Sequence, residues 1–251
     1  MEILKHFSDR RKIRFPLLSD VDSKVIRAFG IFNEAVPATN AFYGIPHPVT
    51  FLTNRAGLVK SKYFEEDYRE RQTLAGLLAK DYNVSPGAAR ETPQAKHVKL
   101  ATAASSATVR GGQRMLLSVE VEMPKGFHVY APGTEGYVAI DWSMNASDAW
   151  KAHAVSYPKS RILYMKAIDE KVPVYEGKLR LIRDITLGPD KAVRAALTAS
   201  NELVVEGTLR YQTCDDRICY PPEKVPVKWT LALERHDSER VPNELRRPAR
   251  Q

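Results

Sequence analysis

Leu203-Val-Val-Glu-Gly-Thr-Leu-Arg-Tyr-Gln-Thr-Cys214-Asp-Asp-Arg-Ile-Cys219-Tyr-Pro-Pro222 holds the only two cysteines of a 251-residue chain. Its first half reads as a strand, and a second strand-like run, Val225-Pro-Val-Lys-Trp-Thr-Leu-Ala-Leu233, follows the prolines. Two strands around so short a connection make a hairpin, with the cysteines at its tip. Fully extended, the segment would hold Cys214 and Cys219 up to ~17 Å apart, whereas a disulfide needs Cα atoms within about 4.4–6.8 Å. The intervening Asp215-Asp216-Arg217-Ile218 must therefore fold back if the pair is to close.

Closing so small a loop contributes only about 2 kcal/mol from chain entropy. A chain of this length also has core enough to fold without a staple. Both points favour a pair that cycles between dithiol and disulfide. A structural disulfide or two idle thiols stay open as alternatives. Four intervening residues and no nearby histidine do not make a four-ligand zinc site. A Cys–His hydrolase is conceivable, but His128 in Phe127-His-Val-Tyr130 reads as a strand residue with a satisfied ring. Asp215 and Asp216 disfavour a thiolate while Arg217 favours one, so the thiols should react mainly when a docked partner supplies the geometry. Tyr220-Pro221-Pro222 stiffens the exit from the turn and offers that partner a fixed apolar surface.

Outward from the cysteines, strand signals recur in Met115-Leu-Leu-Ser-Val-Glu-Val-Glu122, Phe127–Tyr130 and Leu179–Leu187. Several strands separated by turn residues predict an all-β sandwich over residues 97–235. Residues 83–96 are rich in proline and small residues and read as a linker. Residues 236–251 read as a polar, frayed tail. The first 82 residues are α/β in pattern: a helix with Ile3, Leu4 and Phe7 on one face, and a short buried strand at Phe15-Pro-Leu-Leu18. A helix over Lys24–Phe29 is capped from Ser19-Asp-Val-Asp-Ser23. A hairpin of Pro48–Leu52 with Leu58–Phe64 turns at Asn54–Gly57, and a closing helix spans Asp67–Asp81.

Composition narrows the functional classes. The net charge of +8 is spread evenly rather than clustered in stripes with aromatics between them, so no nucleic-acid partner is expected. No run reaches the ~18 apolar residues of a spanning helix, and no direct membrane insertion is expected. The amphipathic start lacks the apolar stretch of a secretory signal peptide.

Gly207–Pro222 resembles the active-site segment of the N-terminal periplasmic domain of DsbD and related disulfide-corrector domains. Pro124-Lys-Gly-Phe-His-Val-Tyr-Ala-Pro132 and Pro173-Val-Tyr-Glu-Gly-Lys178 fit the same family. The resemblance implies an immunoglobulin-like sandwich that passes electrons between thioredoxin-like partners or a membrane electron conductor, outside the cytoplasm and without a bound cofactor or metal. It also implies that Cys219 forms the mixed disulfide and Cys214 resolves it. A cap loop over Val174–Gly177 would shield the pair, with Tyr175 as the aromatic shield.

Ile13-Arg-Phe-Pro-Leu-Leu-Ser-Asp20, Lys24-Val-Ile-Arg-Ala-Phe-Gly-Ile31 and Pro48-Val-Thr-Phe-Leu-Thr-Asn-Arg-Ala-Gly-Leu-Val59 resemble the second half of an AhpC/TSA-type redoxin. That implies a partial thioredoxin-like segment over residues 1–82, with Pro48 at a position that is often cis. The family's peroxidatic cysteine would precede Met1, and residues 1–213 contain no cysteine. Peroxidase activity is therefore not expected of this chain. A truncated gene start of a longer antioxidant protein would explain both the partial segment and the missing export signal. A non-catalytic binding module with inert cysteines is the rival of another class.

Overall fold

Alternation along two long strands builds the core. In Glu202–Tyr211 the buried positions are Leu203, Val205, Gly207, Leu209 and Tyr211, and in Glu223–Leu233 they are Val225, Val227, Trp229 and Leu231. The two pair antiparallel from Glu202 opposite Ala232 to Tyr211 opposite Glu223, so one face of the hairpin is apolar throughout. Asp141–Met144 and Thr108–Val109 complete this four-stranded sheet. A Cβ at Gly207 would run into the Ser143 carbonyl of the neighbouring strand, which is why no larger residue fits there.

A second sheet packs on that face. Its order is Trp150–Ser156, Lys178–Leu187, Gln113–Glu122, Lys99–Ala104 and Ala88–Glu91, with Arg71–Gln72 paired parallel to Gln113–Arg114. Trp229 ties the layers, its Nε1–H donating to the Ala103 carbonyl at 2.9 Å, while its ring lies 5.4 Å from that of Trp142 on its own sheet. Thr102 Oγ1 donates to the Lys228 carbonyl at 3.2 Å. A third sheet, Arg161–Met165, Glu170–Glu176, His128–Tyr130 and Thr213–Cys214, carries the cysteines. The fold is thus mostly β and is built around a sandwich.

This computed structural model describes residues 2–40, 42–65, 70–165, 169–234 and 242–245. Contacts divide the chain into Arg69–Arg235 and a smaller unit of Met1–Tyr68 with His236–Gln251. The division falls earlier than residue 82. Thr73 accepts from the Gly76 N–H and starts helix Leu74–Tyr82, whose Leu77 and Ala79 are buried. Thr73 Oγ1 also meets Ser105 Oγ at 2.6 Å, and Lys80 Nζ donates to Asp184 Oδ2 at 2.6 Å. The expected linker likewise contains strand Ala88–Glu91, paired with Lys99–Ala104. Arg180 holds it from the sheet, donating through Nη1 to the Asn83 carbonyl and side chain and through Nε to Glu120. Charged side chains do the anchoring, which an apolar-pattern reading does not register. Most of the expected tail, and the first residues of the expected closing helix, lie outside the described residues.

In the smaller unit, helices Glu2–Arg10 and Lys24–Ala28 form as expected. The second is capped not by Ser23 but by Asp20, whose carboxylate accepts from Val25 N at 3.2 Å and Ile26 N at 3.0 Å. Those backbone bonds hold the Asp20 carboxyl below its ordinary pKa. Val49–Thr53 and Val59–Phe64 form the hairpin, with Asn54 Oδ1 accepting from Ala56 N and Leu58 N across the turn. Phe15-Pro-Leu-Leu18 is not a buried strand: Phe15 and Leu18 are exposed and no sheet receives them. The bond before Pro48 is trans, since no cis peptide occurs among the described residues.

Candidate functional site

The hydrogen bonds around the cysteines set their spacing. Tyr220 N–H donates to the Thr213 carbonyl and Asp215 N–H to the Ile218 carbonyl, both at 2.9 Å. Cys214 and Cys219 between them form a non-hydrogen-bonded antiparallel pair, the kind in which Cα atoms approach to ~4.5 Å. Here they lie 4.0 Å apart and the disulfide is closed. The turn is tied by Asp215, whose Oδ1 accepts from Arg217 N at 2.8 Å and Ile218 N at 2.9 Å, and whose Oδ2 accepts from Tyr220 OH at 3.0 Å. The backbone bonds from Ile218 and Arg217 hold the Asp215 carboxyl below its ordinary range, and the carboxylate pushes the Tyr220 hydroxyl up. Asp215 therefore serves first as the turn's ligand for backbone N–H groups, a role that charge arithmetic alone does not reveal.

The two sulfurs have different surroundings. Cys214 is 1% exposed and packs with Tyr130, Val172 and Val174. Cys219 is exposed at the tip, next to exposed Ile218, Pro221 and Pro222. Tyr130 OH reaches to 3.5 Å from Cys219 Sγ. The Tyr130 ring is stacked 4.2 Å from Tyr137, whose hydroxyl donates to Glu170 Oε2 at 2.6 Å and is pushed up to about 12 by that bond. On the other flank Tyr220 stacks on His97 at 4.0 Å and lies nearly parallel to Phe127 at 5.8 Å.

Tyr175 is not brought to the disulfide. It lies in strand Glu170–Glu176, opposite Val129, rather than in a loop. Side chains alternate along a strand, so Val174 turns toward Cys214 while Tyr175 enters the main core and donates to the Pro158 carbonyl at 3.0 Å. The aromatic group beside the cysteines is Tyr130. Its place in the quoted Phe127–Tyr130 run and its strand parity were the available signals. His128, expected to have a satisfied ring, is buried with no hydrogen-bond partner on Nε2. Burial lowers its pKa, opposed by Glu176, Asp216 and Asp215. Among the described residues no group of three or more His, Cys, Asp or Glu could hold a metal ion.

The sequence profile of "Thiol:disulfide interchange protein DsbD, N-terminal" matches residues 94–230, more than half of the chain. The chain belongs to this DsbD N-terminal family. Membership supports thiol–disulfide exchange in general as its chemistry. Residues 2–62 match the AhpC/TSA family. No curated protein matches the chain. Among solved structures, the DsbD N-terminal domain of Neisseria meningitidis in the reduced form is 15% identical, with a TM-score of 0.30. That match covers 45% of this chain and 74% of the other. The N-terminal periplasmic domain of ScsB from Proteus mirabilis is 17% identical, with a TM-score of 0.36 and coverage of 56% and 48%. The chain thus spans about half of the ScsB domain's length, and the family assignment stands on the sequence profile.

Proposed function

We propose that the Cys214–Cys219 pair relays electrons between thioredoxin-like proteins, or between one of them and a membrane electron conductor, with Cys219 as the sulfur that partners engage. The unequal exposure of the two sulfurs carries this reading. An in-line attack needs an open path, and only Cys219 offers one. A partner thiolate attacks Cys219 Sγ, the Cys214–Cys219 bond breaks, and Cys214 leaves with the electron pair. The partner's second thiol then releases the mixed disulfide, leaving this pair as a dithiol. The reverse sequence passes the two electrons to the next disulfide.

Exposed Ile218 and the Pro221-Pro222 step give a partner an apolar rim beside the reacting sulfur. The electrons travel on sulfur, so the cycle uses no bound cofactor. A compartment in which disulfides persist suits such a pair, in keeping with the periplasmic location stated for the ScsB domain. No helix among the described residues is long and apolar enough to cross a membrane.

Alkylation of free thiols after equilibration in graded glutathione buffers tests the reading. The pair should show one reversible two-electron midpoint. Cysteines that stay locked in one state across all buffers would instead favour an inert binding module.

A further inference from the structure

We propose that His128 is the general base of the resolving step, taking the proton of the Cys214 thiol as Cys214 attacks the mixed disulfide at Cys219. This deepens the exchange reading above and rests on it.

Register places the two groups together. His128 is the direct antiparallel partner of Cys214, and directly opposed residues share a face with Cβ atoms about 4.5–5.5 Å apart. Tyr130, two residues along the same strand, stands edge-on to the imidazole at 5.4 Å and meets Cys219 Sγ. His128 is 4% exposed, yet its Nε2 has no hydrogen-bond partner. A buried ring nitrogen left without a partner calls for an explanation, and a redox or catalytic role is one. The oxidation state supplies it. In the disulfide Cys214 has no S–H, whereas the dithiol form has one to donate into the same face.

The chemistry also demands a base at this point. Cys214 is enclosed by Tyr130, Val172 and Val174, and Asp215 follows it in sequence. Losing its proton to form a free thiolate there is opposed by burial and by like charge. Transfer to His128 Nε2 concerted with attack avoids that anion. The Cys214 Sγ–Cys219 Sγ bond forms, the Cys219 Sγ–partner sulfur bond breaks, and the partner leaves as a thiolate carrying two electrons. The groups facing His128 are Tyr130 on its own strand, Glu176 beside it with its ion-pair partner Arg161, and Asp215 and Asp216 on the turn. Burial keeps the imidazole neutral and able to accept, while the three carboxylates offset part of the cost of the imidazolium it becomes. Once the disulfide has formed, burial drives the proton off again.

The test uses the full chain with oxidised glutathione as the probe. Reduced protein is mixed with it, quenched in acid at intervals, and weighed by mass spectrometry to follow decay of the Cys219–glutathione adduct into the internal disulfide. The resolving rate of the wild type should rise with a midpoint below the ordinary ~6.5 of an imidazole, the direction that burial sets for His128, rather than near the ~8.5 of a thiol. His128→Gln should slow that step about tenfold or more at neutral pH and move the rise toward the thiol range. An unchanged rate and pH profile in His128→Gln overturns the proposal. If that variant does not fold, the imidazole nitrogen signals of the wild type decide. They must shift between the oxidised and reduced forms by gain of a hydrogen bond at Nε2, and identical signals in both forms overturn it. If the wild type forms neither adduct nor internal disulfide at any pH, the exchange reading fails and takes this one with it. A wild type that exchanges normally alongside an indifferent His128→Gln removes His128 alone.

Discussion

Arg69–Arg235 and Met1–Tyr68 both carry apolar residues at strand and helix spacing, but only the first buries them. In the larger unit Trp142, Trp229, Tyr211, Leu181 and Ile185 are essentially inaccessible. In the smaller unit no described apolar side chain is buried, and Phe15, Leu18, Val21 and Phe42 face outward. Local chemistry succeeds in both: the Asn54 turn and the Asp20 cap form without a core to support them. Short-range hydrogen bonds fix turns and caps, whereas a core needs enough layers to cover each apolar face. The sandwich has those layers, and the thiol chemistry is built on it.

The largest expected effect is in the sandwich. Trp229→Ala removes a fully buried ring and its bond to the Ala103 carbonyl, and should cost about 3–5 kcal/mol in denaturant unfolding. A loss below about 1 kcal/mol would break the comparison. Next comes the helix that the contacts assign to the larger unit. Asp184 accepts from Lys80 Nζ and Arg114 Nε, so Asp184→Ala should cost about 1–3 kcal/mol and speed amide exchange in Leu74–Tyr82. Unchanged exchange there would return the helix to the smaller unit.

Acid gives a subtler contrast. Because burial lowers the pKa of His128, the unfolded chain takes up a proton that the folded chain refuses as pH falls from the ordinary 6.5. The His128 contribution is therefore whole above 6.5 and declines as pH falls through the folded value. His128→Gln should flatten the stability–pH curve in that window relative to the wild type. His153, also lowered by burial, stays in place in both proteins and drops out of the difference. The smallest effect belongs to the smaller unit. Leu18→Ala should change unfolding stability by no more than about 0.5 kcal/mol, and a larger loss would reveal burial that the structure does not show.

Much of the sandwich was legible. Leu203–Tyr211 and Val225–Leu233 announce themselves by β-branched and aromatic content, and the turn by two cysteines that a short hairpin can bring face to face. What stayed hidden depends on partners distant in sequence. Strand Ala88–Glu91 has no apolar run, and the segment leading into it is held at Asn83 by Arg180, ninety-seven residues on. Val174–Gly177 reads from sequence only as a cap loop, and the parity that sends Val174 to the cysteines and Tyr175 to the core follows only once the pairing of strand Glu170–Glu176 with His128–Tyr130 is known. His128 looked ordinary for the same reason. Its significance comes from lying opposite Cys214, a relation across eighty-six positions that spacing does not encode.

The most direct test of the central claim is a comparison of single-cysteine variants. Cys214→Ser and Cys219→Ser are each incubated with oxidised glutathione, and adduct formation is followed by mass under native conditions. With Cys219 exposed and Cys214 enclosed, Cys214→Ser should be glutathionylated rapidly and Cys219→Ser slowly or not at all. Equal rates, or faster modification of Cys214 in the Cys219→Ser protein, would contradict the assignment of Cys219 as the sulfur that partners attack.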